Sequence, residues 1–517
     1  MREKSDKTPA QRKISSELKP TEIQYNTDSK ENLGQSEWAK VTTKSVALIH
    51  KVAIKNVCQP QKVARKNVVC SNFFVSLHSE NTRLPMYRNI INELITWKDS
   101  PDRKPLILLG ARQVGKTYIL KHFGKTCYKN VAYINCDNNA LVKDLFAEDY
   151  DTDRIILSIS AITKETIIPG ETLIILDEVQ EIQRGLSSLK YFCENAPDYH
   201  ICVAGSLLGI AMRHGESFPV GKVDILRMFP MTFDEFLRAK GYDLMADRLI
   251  QKDWRTIQGL HSTLIQLLRE YYFVGGMPGA VSKFITSNNA NAVRNIQKSI
   301  LTAYSQDMSK HTTASEMNRI SQVWNSLPSQ LSKENKKFVY SVVRGGSRAK
   351  DFELAIQWLV DAGLVHRVAR VTKPAMPLKV YEDFAAFKLY LLDVGLLGAL
   401  SNTPAATLLM PNNMEEGKGM YTENYICTQL AASVDQSLFY YSRDTSNLEI
   451  DFIIQQETQI VPIEVKAEEN LQSKSLKTIL QNNAGMHGVR FSMSGYREQE
   501  RITNVPLYGA GVYFSKD

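Results

Sequence analysis

The sequence predicts an α/β protein, in which a parallel sheet in the N-terminal half is followed by helices and by an α+β segment at the C-terminal end. Two observations predict this fold class. Between residues 106 and 204, short apolar runs that end in polar residues or glycine alternate with helical stretches, which is typical of a parallel sheet covered by helices. Beyond about residue 381, helical patterns and alternating strands indicate the second, α+β segment.

The composition is that of a globular protein with enough apolar residues for several domains, since 43% of the 517 residues are hydrophobic. No apolar run approaches the roughly 18 residues that a membrane helix needs, so we expect neither an integral membrane protein nor a membrane partner. The start of the chain is too polar for a signal peptide, and the seven cysteines never occur as Cys-x-x-Cys. We therefore expect a cytoplasmic protein and neither a disulfide scaffold nor a zinc ribbon.

The positive charge is concentrated at the N-terminal end. Residues 1–85 hold 15 Lys plus Arg and 8 Asp plus Glu, so they carry seven of the eight excess positive charges. The rest of the chain is nearly neutral, and the overall charge is therefore no evidence for a nucleic-acid partner. Few large apolar residues occur before residue 43, which predicts a disordered basic leader over residues 1–85; a weak amphipathic helix at residues 45–57 is the alternative.

The elements after residue 86 follow in order along the chain. We predict four strands of the parallel sheet, at residues 106–109, 131–135, 173–176 and 201–204. A mostly helical stretch follows over residues 232–327, with a turn at the glycines and proline of residues 275–279. Residues 332–371 show the order helix, turn, helix and strand, which resembles a winged helix.

A glycine-rich loop joins the first predicted strand to a helix. The loop has the spacing G-x-x-x-x-G-K-T and consists of Gly110, Ala111, Arg112, Gln113, Val114, Gly115, Lys116 and Thr117. Its glycines allow backbone N–H groups and the helix N-terminus to face phosphates. Lys116 can then reach the β- and γ-phosphate oxygens, and the Thr117 hydroxyl can bind Mg²⁺. The loop therefore predicts a nucleoside triphosphate site.

Two acidic residues follow the third predicted strand, at the sheet edge where parallel α/β sheets bind ligands. We assign Asp177 to the Mg²⁺ shell, directly or through water. Glu178 suits the general base that activates the attacking water. No Asn-Lys-x-Asp motif for guanine follows these acids, so ATP is the expected nucleotide.

Residues 86 to about 470 resemble the bacterial and archaeal AAA-superfamily ATPases that carry a C-terminal domain of unknown function 4143. The resemblance rests on the loop, on the two acids, on Gly205-Ser206, and on segments at residues 229–236, 275–278, 388–395 and 449–452. It implies an ATPase domain and a restriction-endonuclease-like tail.

The resemblance also makes Ser206 a candidate for the polar residue that senses the γ-phosphate; a strand-end hydroxyl with only local bonds is the alternative. Many members of the family have an arginine after the glycine where this chain has Gly221-Lys222, so we assign no arginine finger.

Acidic residues also recur on two predicted strands near the C-terminal end, at residues 448–454 and 459–466. A two- or four-residue loop between the strands would place Asp451 opposite Glu464 on one face. Carboxylates about 5 Å apart repel each other unless a cation intervenes, which predicts a second Mg²⁺ or Mn²⁺ site. Pro462 predicts either that the second strand lies at an edge of its sheet or that the proline belongs to the first residues of the strand.

The pattern Asp…Glu-x-Lys resembles the signature of PD-(D/E)xK nucleases. In that interpretation Lys466 activates the hydrolytic water, and Glu423 is the helical glutamate of the fold. The same register places Glu449 opposite Lys466. The alternative is a salt-bridged sheet face in which Lys466 balances the acids.

A basic cluster lies on the predicted winged helix and is a candidate DNA contact; a solvated face is the alternative. The cluster consists of Lys333, Lys336, Lys337, Arg344, Arg348 and Lys350. The aromatic residues of this segment are more simply core positions. They are Phe338, Tyr340, Phe352 and Trp358.

The sequence thus predicts five segments: a leader at 1–85, an AAA-type P-loop core at 86–240, a helical lid or connector at 241–327, a winged-helix-like segment at 328–380 and a restriction-endonuclease-like domain at 381–517. We expect a Mg²⁺-dependent ATP hydrolase coupled to a nuclease-like domain, with DNA, a protein or a second copy as candidate partners. A nucleotide-dependent binding switch with a non-cleaving C-terminal domain is the alternative.

Overall fold

A computed structural model describes residues 86–137, 139–143, 145–146, 149–210, 218–410, 417–434, 436–443, 448–469 and 471–515. The predicted leader at residues 1–85 lies outside these ranges. The described residues all belong to one compact unit.

Five parallel strands form the sheet of the N-terminal half, in the order β2-β3-β4-β1-β5. The strands are β1 Leu106–Leu109, β2 Asn130–Asn135, β3 Thr172–Asp177, β4 His200–Ala204 and β5 Asp224–Arg227. The four predicted strands are confirmed. The sequence does not predict β5, because only Ile225 and Leu226 of its four residues are apolar. In this order β4 lies between β1 and β3, so the loops that follow these three strands are neighbours.

Both faces of this sheet are buried. Leu106 and Leu108 of β1 pack into one apolar cluster, and Ile107 and Leu109 pack into another. Alternate residues of a strand point to opposite faces, so a strand that is covered on both sides needs an unbroken apolar run. The accompanying helices are α1 Ile90–Asp99, α2 Lys116–Cys127, α3 Ala140–Lys143, α4 Thr152–Thr163 and α5 Gly185–Asn195.

Helices follow the first sheet, as the sequence predicts. They are α6 Phe233–Ala239, α7 Asp243–Ile250, α8 Trp254–Gln258, α9 His261–Val274, α10 Pro278–Ser287, α11 Ala290–Lys310 and α12 Ala314–Leu331. The predicted turn lies between α9 and α10. Pro278 occupies the first turn of α10, where the backbone N–H that proline lacks would have no partner within the helix. Within the described ranges, no helix is long and apolar enough to cross a membrane.

Eight strands form the second sheet, in the order β12-β13-β11-β10-β9-β8-β6-β7. The strands are β6 Val365–Val371, β7 Glu382–Leu391, β8 Phe439–Ser442, β9 Glu449–Gln456, β10 Gln459–Val465, β11 Gly488–Ser492, β12 Arg497–Glu498 and β13 Ile502–Pro506. The helices of this part are α13 Tyr340–Val343, α14 Ala349–Asp361, α15 Val394–Leu400, α16 Ala405–Leu409, α17 Lys418–Ser433, α18 Lys474–Asn482 and α19 Ala510–Tyr513.

The two strands that follow α14 belong to this second sheet. β6 pairs antiparallel with β7 and parallel with β8. The predicted division between residues 380 and 381 therefore falls between two paired strands of one sheet. The helix, helix and strand of the winged-helix-like order are present as α13, α14 and β6.

The predicted register of the C-terminal hairpin is present. Gln459 pairs with Gln456, and the ladder continues to Ile463 opposite Phe452, so Asp451 and Glu464 are the next residues along it. Of the two placements predicted from Pro462, the edge position is not observed, because β10 lies between β9 and β11. Pro462 is tolerated there because β11 pairs with β10 only from Ile463 onward, which leaves that side of Pro462 unpaired.

Candidate functional site

The glycine-rich loop lies between β1 and the first turn of α2. Gly110 and Gly115 have φ angles of 151° and 101°, which residues with a side chain rarely adopt. A Cβ atom on Gly110 would lie 2.4 Å from the backbone oxygen of Met228. Both glycines are therefore needed for the curled backbone of the loop.

Lys116 is buried over this loop. Its Nζ donates to the backbone oxygens of Gly110 at 2.7 Å and Ala111 at 2.9 Å. Burial lowers the pKa of Lys116 to about 8, although the nearby carboxylates of Glu178 and Asp177 act in the opposite direction. The ammonium group thus lies over the loop backbone, within the site where the phosphates of a nucleotide are expected.

Thr117 and Asp177 meet at the carboxyl ends of β1 and β3. The Thr117 hydroxyl donates to the Asp177 carboxylate at 2.7 Å, and the Tyr133 hydroxyl donates to the same oxygen at 3.2 Å. Hydroxyl and carboxylate oxygens are the ligands that Mg²⁺ prefers. The residues present therefore fit a Mg²⁺ ion held by Thr117 and Asp177, as the sequence predicts.

Glu178 and Ser206 are brought together by the neighbouring strands β3 and β4. One Glu178 carboxylate oxygen accepts from the Gln180 side chain at 2.6 Å, the Ser206 N–H at 3.0 Å and the Ser206 hydroxyl at 3.1 Å. Burial alone would raise the pKa of Glu178, but these hydrogen bonds lower it below its ordinary value. Glu178 is therefore ionised, and Ser206 orients its carboxylate. A role of Ser206 at the γ-phosphate stays a prediction.

Arg88 contacts the loop, and its role is not predicted from the sequence. Its guanidinium donates to the backbone oxygens of Val114 at 2.8 Å and Phe229 at 2.6 Å, and it pairs with Glu235 at 3.0 Å. The partners lie 26, 141 and 147 residues away along the chain. Contacts between residues so far apart in the chain leave no local sequence pattern. The role of a single arginine before an amphipathic helix therefore cannot be predicted from the sequence.

Helix α11 contacts the loop at Arg112. The Tyr304 hydroxyl donates to the Arg112 backbone oxygen at 2.9 Å, and Asp307 forms an ion pair with the Arg112 guanidinium. The sequence predicts Arg112 as a loop residue only. Tyr304 and Asp307 share one helix face, but nothing in their spacing identifies a partner almost 200 residues away.

Three segments of the family resemblance meet in one buried junction. The Asp393 side chain accepts from the Gly276 N–H at 2.6 Å and from the Leu396 N–H at 2.8 Å. The Gly276 backbone oxygen in turn accepts from the Met231 N–H at 2.7 Å. Burial raises the pKa of Asp393 to about 6. These segments therefore join the P-loop half to the second sheet.

The predicted C-terminal acids lie close together, but lysines contact most of them. Lys336 pairs with Glu423 at 2.7 Å, and Lys466 pairs with Glu464 at 2.6 Å. Asp451 accepts from the Val465 N–H at 2.7 Å. Burial raises the pKa of Asp451 to about 8, and the Glu423 and Glu464 carboxylates add to this increase.

Two further lysines, Lys388 and Lys336, belong to this cluster. Glu449 pairs with the buried Lys388 at 2.5 Å and not with Lys466. Lys336 is buried beside Glu423 and does not belong to a basic surface, whereas Arg344, Arg348 and Lys350 are exposed. Among the residues that the structure describes, no group of three or more His, Cys, Asp and Glu side chains is arranged to hold a metal ion.

Three families match parts of the chain. Residues 102–237 match the AAA domain, residues 265–407 match a domain of unknown function (DUF8612), and residues 418–508 match a domain of unknown function (DUF4143). A comparison with curated proteins found no match.

Solved structures that match the chain include the Walker-type ATPase of Pyrococcus abyssi, at 13% identity and a TM-score of 0.39, covering 61% of this chain and 96% of that one. The ORC1 protein of Aeropyrum pernix in complex with DNA has 12% identity and a TM-score of 0.25, with 63% and 95% covered. Cdc6p of Pyrobaculum aerophilum has 12% identity and a TM-score of 0.22, with 65% and 96% covered.

The parallel sheet, the loop and the AAA match define the class: the chain has the fold of an AAA-superfamily P-loop ATPase. More particularly, the AAA match at residues 102–237 is combined in this chain with a match to the domain of unknown function 4143 at residues 418–508.

Proposed function

We propose that this protein binds ATP and hydrolyses it with the help of Mg²⁺, and that ATP binding acts on the C-terminal sheet. The observation that carries the proposal is the grouping of Lys116, Thr117, Asp177, Glu178 and Ser206 at the carboxyl ends of three neighbouring strands. Such a grouping positions a phosphate chain, a metal ion and an attacking water in one place. The cytoplasm is the proposed location.

Each residue has a separate role in this proposal. The loop N–H groups and Lys116 bind the phosphates, and Thr117 with Asp177 would hold Mg²⁺, which neutralises phosphate charge when bound. Glu178 accepts a proton from the attacking water. Its lowered pKa keeps it ionised and ready to do so. Ser206 positions Glu178 and is a candidate contact of the γ-phosphate.

A comparison of two lysine variants tests the binding step. Lys116→Ala should weaken ATP binding roughly tenfold to a hundredfold, because hydrogen bonds to charged groups are worth about 1.5–3 kcal/mol. Lys125→Ala is the matched control, since Lys125 lies on the same helix and is exposed. Fluorescent ATP titrations in Mg²⁺ measure both. Equal affinities of Lys116→Ala and the wild type would contradict the assignment of the loop.

Metal-dependent cleavage of DNA by the C-terminal domain is a second candidate function. It is favoured by Asp451, whose pKa is raised further by the carboxylates of Glu423 and Glu464, and by the buried Glu464 oxygen that has no hydrogen-bond partner among the described residues. A second Mg²⁺ or Mn²⁺ would relieve this repulsion. The exposed arginines Arg344 and Arg348 are candidate contacts for DNA phosphates.

The lysine pairs favour the alternative, in which the domain binds a partner but does not cleave. Lys336 and Lys388 already neutralise Glu423 and Glu449. A nuclease assay with Mg²⁺ or Mn²⁺ on the full chain separates the two functions. Cleavage that Lys466→Ala abolishes while ATP turnover survives would support the nuclease. Absence of cleavage by the wild type would support the binding switch, with a protein or a second copy of the chain as candidate partner.

A further inference from the structure

One face of helix α11 contacts the nucleotide site at its C-terminal end. Tyr304, Asp307 and Lys310 follow each other at intervals of three residues and therefore share this face. They contact the Arg112 backbone oxygen, the Arg112 guanidinium and, at 3.7 Å, the carboxylate of Glu181. The end of α11 thus lies across both the loop and the segment after Glu178.

The Arg112–Asp307 ion pair lies at the end of the site where the terminal phosphate is expected. Arg112, Asp307 and Tyr304 line the same cavity as Ser206, and Ser206 holds the carboxylate of Glu178. The Arg112 side chain is 48% exposed, whereas that of Asp307 is 9% exposed. A phosphate group that enters from solvent can therefore reach Arg112 directly.

Asp307 is an unfavourable neighbour for a nucleotide. Burial raises the pKa of Asp307, and the nearby carboxylate of Glu178 adds to this effect, whereas Arg112 favours the ionised form. The phosphates of ATP would bring further negative charge beside it. A guanidinium binds phosphate through paired hydrogen bonds, so the terminal phosphate and Asp307 compete for Arg112.

We propose that Arg112 binds the terminal phosphate of ATP, and that this contact replaces its ion pair with Asp307 and releases the C-terminal end of α11. The inference rests on the proposed function, because it requires that ATP binds to the loop. It adds a residue that distinguishes ATP from ADP, and it names the helix that responds to the difference.

The N-terminal part of α11 contacts the segments that lead to the second sheet, so a displacement of the helix would be transmitted to that sheet. Arg294 donates to the Thr403 backbone oxygen at 2.9 Å. Gln297 donates to the backbone oxygens of Phe273 at 2.8 Å and Val274 at 3.0 Å. These contacts lie next to the junction that contains Gly276 and Asp393. The helix therefore connects the terminal-phosphate position to the segment that joins the two sheets.

Affinities for ATP and ADP test the proposal, measured separately with fluorescent nucleotides and Mg²⁺. Asp307→Asn should strengthen ATP binding about fivefold or more, the lower range of typical coupling between sites, with a much smaller effect on ADP. Arg112→Gln should weaken ATP binding and leave ADP binding nearly unchanged. Gln306→Glu is the matched control, because it adds a charge next to Asp307 on an exposed position of the same helix and should change neither affinity.

The outcomes are distinguishable from a failure of the proposed function. If the wild type binds ATP and both variants keep its ratio of ATP to ADP affinity, the role of Arg112 is contradicted while the ATP site stands. If the wild type binds no ATP, the proposed function and the role of Arg112 are both contradicted. If Asp307→Asn does not fold, Arg112→Gln still tests the proposal, because the Arg112 side chain is half exposed and its replacement should not disturb the fold. The proposal then requires that Arg112→Gln loses the preference for ATP over ADP.

Discussion

The buried guanidinium of Arg88 connects the phosphate-binding loop to Glu235, which also accepts from the Thr232 N–H at 3.0 Å. Arg88→Met should destabilise the fold by about 3–5 kcal/mol, because it leaves the Glu235 carboxylate buried without its cation. Denaturant unfolding measures this. The exposed Arg255→Met is the control and should change stability by less than about 0.5 kcal/mol. Equal losses in the two variants would contradict the role of Arg88.

Asp451 gives the stability of the protein a defined dependence on pH. Its pKa is about 8 in the folded chain and 3.8 ordinarily, so between these values the folded state holds a proton that the unfolded state has lost. This group therefore makes the free energy of unfolding fall as the pH rises from about 4 to about 8.

Asp451→Asn removes this dependence and can keep the hydrogen bond from the Val465 N–H. Relative to the wild type, the variant should thus become steadily more stable as the pH is raised through that range. Chemical unfolding at several pH values provides the comparison. A stability difference that does not change with pH would show that Asp451 is ionised throughout.

At the scale of elements, the turn between α9 and α10 is constrained by close packing. A Cβ atom on Gly276 would lie 2.1 Å from the backbone oxygen of Met231, whereas one on Gly279 would have its nearest neighbour at 3.5 Å. Gly276→Ala should therefore cost about 1–3 kcal/mol or more through forced backbone shifts. Gly279→Ala lies within α10 and should be neutral or slightly stabilising. Similar melting temperatures of the two variants would contradict this packing.

The elements also show which signals the sequence carries. Strands β1, β3 and β4 are predictable because every residue is buried and the apolar runs are nearly unbroken, and the register of β9 with β10 follows from the short turn. β5 is not predictable from its two apolar residues. The interior position of β10 depends on pairing with β11, which is distant in sequence, and Pro462 indicates the opposite.

At the scale of the whole molecule, long-range contacts join the two sheets. The Phe233 N–H donates to the Gln429 side chain at 3.0 Å, and a Cβ atom on Gly363 would lie 3.5 Å from the Ala111 nitrogen of the loop. One apolar cluster contains residues of both sheets, such as Leu106 of β1 and Phe491 of β11. These contacts cannot be predicted from the sequence, because the local pattern of each segment does not identify the distant segment against which it packs.

This continuous packing predicts that the two sheets unfold together. Trp97 packs beside Phe123 in the first half, and Trp254 stacks on Tyr496 next to β12 of the second sheet, so single-tryptophan variants that keep one or the other report on each half. Both should show the same denaturant midpoint and slope, as expected for one cooperative transition. Two separate midpoints would show that the halves are independent domains.

Single-turnover hydrolysis of radiolabelled ATP measures whether Glu178 activates the attacking water. Glu178→Gln should bind ATP with Mg²⁺ as tightly as the wild type but hydrolyse it at least about a hundredfold more slowly, the usual contribution of a general base. Glu171→Gln, at the opposite end of strand β3, should hydrolyse normally. Hydrolysis by Glu178→Gln at the wild-type rate would show that Glu178 is not the general base.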